Sequence, residues 1–315
     1  MKTSHRTRQA FFAVVATITL SSCEQEASTA ETANVSPPEH MISLDKATTE
    51  YNNFYTTRIA PRKTATEENR SVWFDIGQLR QHLNRMDQIA AQYQIPITKL
   101  SFLLGANAQG QRTVLIAPMT FDSQSGSHRA FTIEQQQLRF LHTDPYDNYS
   151  LIASPDTETE TSLVLGTSGL VSTAETVAQY NRYYDTKVAP ITDQVPHDTR
   201  ICFYKKGIFS AYLDYLQQQA ADNQITLDGV QVVFGVYDNT PEMGAMANHQ
   251  TLFFAPTETG GKNKQTISYS IIESTKVILD FSQNTLSVPS HKTGDNQSSS
   301  IMNELGSSPP LGKDI

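Results

Sequence analysis

The chain is 315 residues long, carries a formal net charge of −8 from 24 Lys+Arg against 32 Asp+Glu, and holds two cysteines. An acidic balance argues against the clustered basic face that nucleic-acid phosphates require, and against a polybasic grip on anionic lipid. No nucleic-acid partner is expected.

The N-terminus reads as an export signal. Lys2, Arg6 and Arg8 stand among residues 1–9 without an acid, residues 10–20 are apolar or small, and Leu20-Ser21-Ser22-Cys23 follows. The apolar run is too short to span a bilayer. Its Leu-Ser-Ser-Cys end resembles a bacterial lipobox. The resemblance implies cleavage before Cys23 and lipidation of that cysteine on sulfur and nitrogen, and several acyl chains anchor stably where one does not. Losing residues 1–22, the lipoprotein signal peptide, removes three positive charges and no negative one, which takes the net charge from −8 to −11. Residues 23–40 are rich in Glu, Ser, Thr, Ala and Pro without periodicity and are predicted to be a flexible tether. Glu24, rather than Asp, follows the cysteine. By resemblance to the enterobacterial sorting rule, this implies an outer-membrane protein facing the periplasm or the cell surface.

The folded part says nearly the same thing twice. Residues 51–61 recur at 180–190 with six of eleven positions identical; residues 70–105 map onto 200–235 at an offset of 130, and 113–118 onto 251–256 at 138. Such a unit is too long for a solenoid repeat. In each copy, polar capping residues precede a helix with Tyr51 and Tyr55, or Val177, Tyr180 and Tyr184, on one face, ended by Pro61 or Pro190. A short aromatic strand at 71–74 or 201–204 follows. The spacing of Leu79, Leu83, Met86, Ile89 and Ala90, matched by Phe209, Leu213, Leu216, Gln219 and Ala220, predicts an amphipathic second helix. Strands are expected at 100–105 and 230–235, at 113–116 and 251–254, and further at 130–134 and 266–271.

The expected fold class is α+β: two tandem copies of an α-β-α-β-β domain, possibly extended by one more strand, with helices packed on a small, mainly antiparallel sheet. The expected boundaries are 41–150 for the first repeat, 151–170 for a linker, 171–287 for the second repeat and 288–315 for a disordered tail, within which 301–305 has the residues to dock locally.

The shared residues read as fold-forming: Tyr51/Tyr180, Tyr55/Tyr184, Arg70/Arg200, Gly105/Gly235, and the aromatic pair Trp73/Phe203. Cys202 lies in an apolar run, has no disulfide partner once Cys23 is lipidated, and reads as a buried small hydrophobe. Asp75 faces Lys205, His82 faces Tyr212, and His142, His197 and His249 have no counterparts, so the shared core carries no catalytic group. No nucleophile elbow, zinc helix, P-loop or dinucleotide turn is present, and no cofactor or metal is expected. One asymmetry stands out. Residues 237–249 form a hairpin loop eight residues longer than its 107–111 counterpart. The candidate ligand-binding residues are therefore Tyr237, Met243, Met246 and His249 in the loop, with Trp73, Arg70 and Arg200 among the shared set.

The Tyr-x-x-x-Tyr helix, the aromatic strand, the Gly-then-Leu-rich helix and the hairpin ending Ala-Pro resemble duplicated lipoproteins and secreted proteins of Bacteroidota-type bacteria, over roughly residues 44–281. The resemblance concerns fold-forming features and implies no activity or binding residue. The expected role is a membrane-anchored binding or interaction module for an envelope protein or glycan. The alternatives are a structural spacer, or an envelope hydrolase with a single-copy site drawing on Asp75, His82, His142, His197 or His249.

Overall fold

The computed structural model describes residues 36–62, 68–142, 151–260, 265–287, 299–303 and 306–308. The signal segment, the lipidation site Cys23 and most of the expected tether lie outside them. In chain order the elements are β1 (Met41–Ile42), α1 (Leu44–Phe54), β2 (Ser71–Asp75), α2 (Ile76–Gln92), β3 (Lys99–Ala106), β4 (Arg112–Asp122), β5 (Ser127–Glu134), β6 (Gln137–Phe140), β7 (Leu165–Gly166) and β8 (Gly169–Leu170). They continue with α3 (Thr173–Tyr183), β9 (Ile201–Lys205), α4 (Lys206–Asp222), β10 (Gly229–Val236), β11 (Gln250–Gly260), β12 (Gln265–Ile272), β13 (Thr275–Leu279), β14 (Ile301–Asn303) and β15 (Gly306–Ser308). The fold is mixed α and β with two antiparallel sheets.

Local chemistry sets the helices. Ser43 caps α1 by accepting from Lys46 N at 3.2 Å, and Ser172 caps α3 by accepting from Glu175 N at 3.2 Å, satisfying donors that have no intrahelical partner. Each of these helices runs on into a five-residue turn of π-helix, Tyr55–Ile59 and Tyr184–Val188. Asp75 caps α2 through Gln78 N at 2.8 Å, which gives that candidate acid a structural task.

The sheets are not assembled within each sequence repeat. β2 pairs with β10, with Trp73 opposite Gln231, and β9 pairs with β3, with Phe203 opposite Ser101. The helices cross in the same sense: Leu44, Ala47 and Tyr51 of α1 pack with Val233, Phe253 and Ala255 of the second half, and Val177 and Tyr180 of α3 pack with Leu103, Leu115 and Ala117 of the first. Each stretch from first helix to first strand is thus exchanged. Gly105 and Gly235 permit the helices to approach, since a Cβ at Gly105 would meet the Gln179 Cβ of α3 at 3.3 Å and one at Gly235 would meet the Glu50 Cβ of α1 at 3.2 Å. A shared aromatic core closes the interior, with Phe102 of β3 5.0 Å from Phe254 of β11 and 5.3 Å from Phe209 of α4. Antiparallel α2 and α4 are linked by the ion pairs Arg80–Asp214 (2.8 Å) and Lys206–Asp87 (2.5 Å). All the described residues fall in one compact unit as a consequence.

Two further differences share one cause. The expected linker contributes β7, which bridges Ile116 of β4 through Leu165, and buries Leu163 and Val164. The expected disordered tail contributes β14, where Met302 pairs with both Phe254 and Met41, and β15, which pairs with β9. Buried Ser299 and Ser300 are held by hydrogen bonds to Ile42 O and Ile271 N, and Asn303 donates to the buried Glu50 carboxyl at 2.7 Å. Strands of two or three residues are too short for a sequence period to reveal.

Candidate functional site

Two features stand out: a buried cluster of charge where the exchanged segments cross, and a groove along α2.

The cluster begins at the π-helical turns, which aim one cation each inward. Arg58 Nε donates to Asp198 Oδ2 at 2.9 Å, and both side chains are 2% exposed. Lys187 Nζ meets Glu68 Oε1 at 2.5 Å. Arg58 and Lys187 occupy corresponding positions, as do Glu68 and Asp198, so each cation pairs with the acid of the other half. Asp198 also accepts from Thr199 N (3.0 Å) and Gln250 N (2.8 Å). Arg112, 1% exposed, pairs with the second oxygen of Glu68 and lies over the Phe54 ring, 5.0 Å from its centroid. The signal for this cluster was available: an acid two residues before Arg70 and Arg200, and a base three residues after Tyr55 and Tyr184, occur in both copies. Titratable groups therefore do pass the comparison of the two copies at these positions.

The groove, of about 810 Å³, runs between α2 and the β7–β8 hairpin. Gln78, Gln81, Asn84 and Gln88 are exposed along it, half-buried Arg85 donates to Glu160 O, and Leu165 and Leu170 supply its apolar wall. His82 lines it while only 4% exposed, with the Leu163 carbonyl near its ring. Burial takes its pKa down to about 4, outweighing the nearby Leu163 carbonyl, so the imidazole is neutral at ordinary pH.

The other candidates divide by environment. Tyr237 is 3% exposed, with its hydroxyl toward Asn303, and so does not face a ligand as expected. Met243 and Met246 are half-buried in a short 3₁₀ segment, and His249 meets the carbonyls of Ala247 (3.0 Å) and Pro196 (3.4 Å). Arg70 lies 5.6 Å from the centroids of both Tyr51 and Tyr55 and donates to Ser282 O at 3.0 Å, while Arg200 lies over Tyr180 and Tyr184 at 5.2 and 4.7 Å. These are cation–π clamps on the Tyr-x-x-x-Tyr helices. Trp73 donates from its indole to Thr257 Oγ1 at 2.9 Å, over Gly229, where a Cβ would come within 2.4 Å of the ring nitrogen. His142 is fully buried and accepts from Ala130 N at 3.0 Å, His197 is exposed, and neither lines the groove with His82. His249 reaches the carbonyl that precedes His197 in the chain, while Asp75 and His142 serve as hydrogen-bonding groups elsewhere. Among the described residues no group of three His, Cys, Asp or Glu converges as a metal site, and no helix is long and apolar enough to cross a membrane.

Comparison of the chain with protein-family models, curated proteins and solved structures finds no match.

Proposed function

We propose that this chain is a lipid-anchored envelope binding module whose ligand lies in the α2 groove. The anchor follows from the lipobox at Cys23, and outer-membrane placement from Glu24. The observation that carries the reading is the row of four carboxamides along the groove, with the buried imidazole of His82, near the Leu163 carbonyl, among them. A neutral imidazole and a carboxamide can each both donate and accept. That suits a hydroxyl-rich chain, in which every group does the same. A glycan therefore fits better than a peptide, which would want side-chain pockets or a free strand edge. The sequence match between the halves supports descent from one duplicated unit, in which Tyr212 stands in place of His82 and donates to Phe254 O and Ser300 O (3.0 and 3.1 Å). The test is retention of the full detergent-purified chain on immobilised envelope glycans and, separately, envelope peptides. Glycan retention lost in a Gln81→Ala/Asn84→Ala/Gln88→Ala variant supports the reading. Retention unaffected by that variant removes the groove from it, and retention on neither matrix removes the binding role.

A further inference from the structure

The two halves close in the same way, and one of them has chain left over. β7 bridges β4 through Ile116 and Leu165, and β14 bridges β11 through Phe254 and Met302, at corresponding positions. Ser162 Oγ donates to Val171 O and Ser299 Oγ to Ile42 O, so the β7–β8 hairpin of one half is matched by the β14–β1 pair of the other. After Gly166 the chain turns straight into β8. After Asn303 it continues into β15, which pairs with the outer edge of β9. The strand that corresponds to β9 is β2, and no described strand pairs with its outer edge. The ladder fixes what that edge presents. Arg70 O accepts from Phe234 N and Ile76 N donates to Asp228 O, so the even-numbered residues of β2 face β10. The main-chain N–H and C=O groups of Ser71, Trp73 and Asp75 therefore point away from β10. On β9 the matching Ile201 and Phe203 meet Ser308 and Gly306. Open edges are commonly blunted by Lys, Pro or a covering segment, and Ser71–Asp75 holds neither Lys nor Pro. A groove of about 430 Å³ adjoins the Ser71 end, lined by Gln231, Ser268, Ser282 and Ile278, the last 52% exposed.

We propose that the outer edge of β2 receives an extended segment of a partner protein as an added antiparallel strand, with a glycine or similarly small residue opposite Trp73. β9 shows the chemistry of such an occupant: Gly306, Ser307 and Ser308, with the glycine opposite Phe203, the counterpart of Trp73. Main-chain hydrogen bonds supply the affinity of an added strand, and the residue opposite the ring supplies selectivity. The chain's own tail strand is engaged on β9, so the occupant comes from another polypeptide. None of Ser71–Asp75 lines the α2 groove, and this site does not depend on the glycan reading.

Trp73 is the only tryptophan of the chain, so its emission reports on this edge directly. The probe is a synthetic peptide with the sequence of residues 304–310, which contains no tryptophan, titrated into the full detergent-purified chain. The expected result is a saturable change in Trp73 emission. N-methylation of the peptide at the positions of Gly306 and Ser308, whose N–H groups face the edge in the β9 register, should weaken binding about tenfold through the loss of two main-chain hydrogen bonds. N-methylation at the position of Ser307, which faces away, should leave the affinity within about threefold. Ser71→Pro removes one outward donor and leaves the pairing with β10 intact, as proline does on an edge strand, and it should weaken binding of the unmodified peptide. The methylated series on the wild-type chain decides the matter if Ser71→Pro does not fold. Emission that never changes, equal weakening by the two methylation patterns, or a response unchanged in folded Ser71→Pro overturns the proposal. Dimers that form without peptide and are lost in Ser71→Pro would put a second copy on the edge, and overturn it as well.

Discussion

The crossing of the halves is best tested at Arg58. Replacing it with Met keeps the aliphatic stem and removes the guanidinium, leaving the buried Asp198 carboxylate with two backbone N–H donors and no cation. Breaking a buried pair in this way costs about 3–5 kcal/mol. The two surviving backbone bonds put the expected loss near the lower end, about 3 kcal/mol. The internal control is Arg80→Gln, because Arg80–Asp214 has a comparable contact of 2.8 Å against 2.9 Å but side chains 33% and 60% exposed, and an exposed pair contributes about 0–1 kcal/mol. Urea unfolding at pH 7 gives both numbers, and a double-mutant cycle with Asp198→Asn isolates the pair. An Arg58→Met loss below about 1 kcal/mol, no larger than the control, would refute a buried lock at the crossing.

Residues 36–150 and 151–315 produced separately should each fail to form a folded monomer, and co-production should restore a complex with native circular dichroism; a folded monomeric half would contradict the exchanged strands. Stability should fall as pH drops from 6.5 to 4, because His82 (pKa about 4) and His142 (about 3) resist protonation in the fold while the unfolded chain takes up protons there. His142→Gln, retaining an acceptor for Ala130 N, should remove part of that acid sensitivity in denaturant titrations. Glu50 acts in the opposite direction: burial raises its pKa from 4.5 to about 8, so its contribution is full below 4.5 and is lost as pH climbs toward 8. Glu50→Gln, which still accepts from Asn303, should therefore match the wild type at pH 4 and exceed its stability at pH 8.

The elements were legible where local chemistry decides them. Polar capping types such as Ser172 announce the first helix of each half, and the Leu79–Ala90 spacing describes the buried face of α2, although the capping role of Asp75 emerges only in the fold. The pairing was not legible for a specific reason. β3 and β10 correspond in sequence and offer equally apolar faces, so nothing in β2 itself chooses between pairing at home and pairing across. The short strands β7 and β14 were hidden by length and by polar neighbours such as Ser299 and Ser300, whose burial depends on hydrogen bonds that only the assembled sheets supply. The groove was half visible. His82 was a candidate as a lone histidine, but its carboxamide neighbours became a feature only once the 165–170 hairpin lay alongside them.

The long loop at 237–249 acquires a different meaning from this arrangement. Both halves offer an acid, so charge alone cannot direct Arg58 toward Asp198. The loop can: the Asn248 carbonyl accepts from Arg58 Nη2, and Asp238 accepts from Asn53 Nδ2 at 2.7 Å, so the loop receives the exchanged α1 segment with two hydrogen bonds that the short 107–111 turn has no chain to provide. Lys187, which crosses the other way, carries its three donors on one nitrogen and so cannot span two separated acceptors as a guanidinium does. Replacing 238–249 with the short turn should therefore destabilise the protein, by about 2–4.5 kcal/mol if the Arg58 bond contributes about 1.5–3 and the exposed Asn53–Asp238 bond about 0.5–1.5. The loss should shrink in an Arg58→Lys background, where the second donor is already absent. A loop serving only ligand recognition would leave unfolding unchanged in both backgrounds, and that result would return residues 237–249 to the list of candidate binding surfaces.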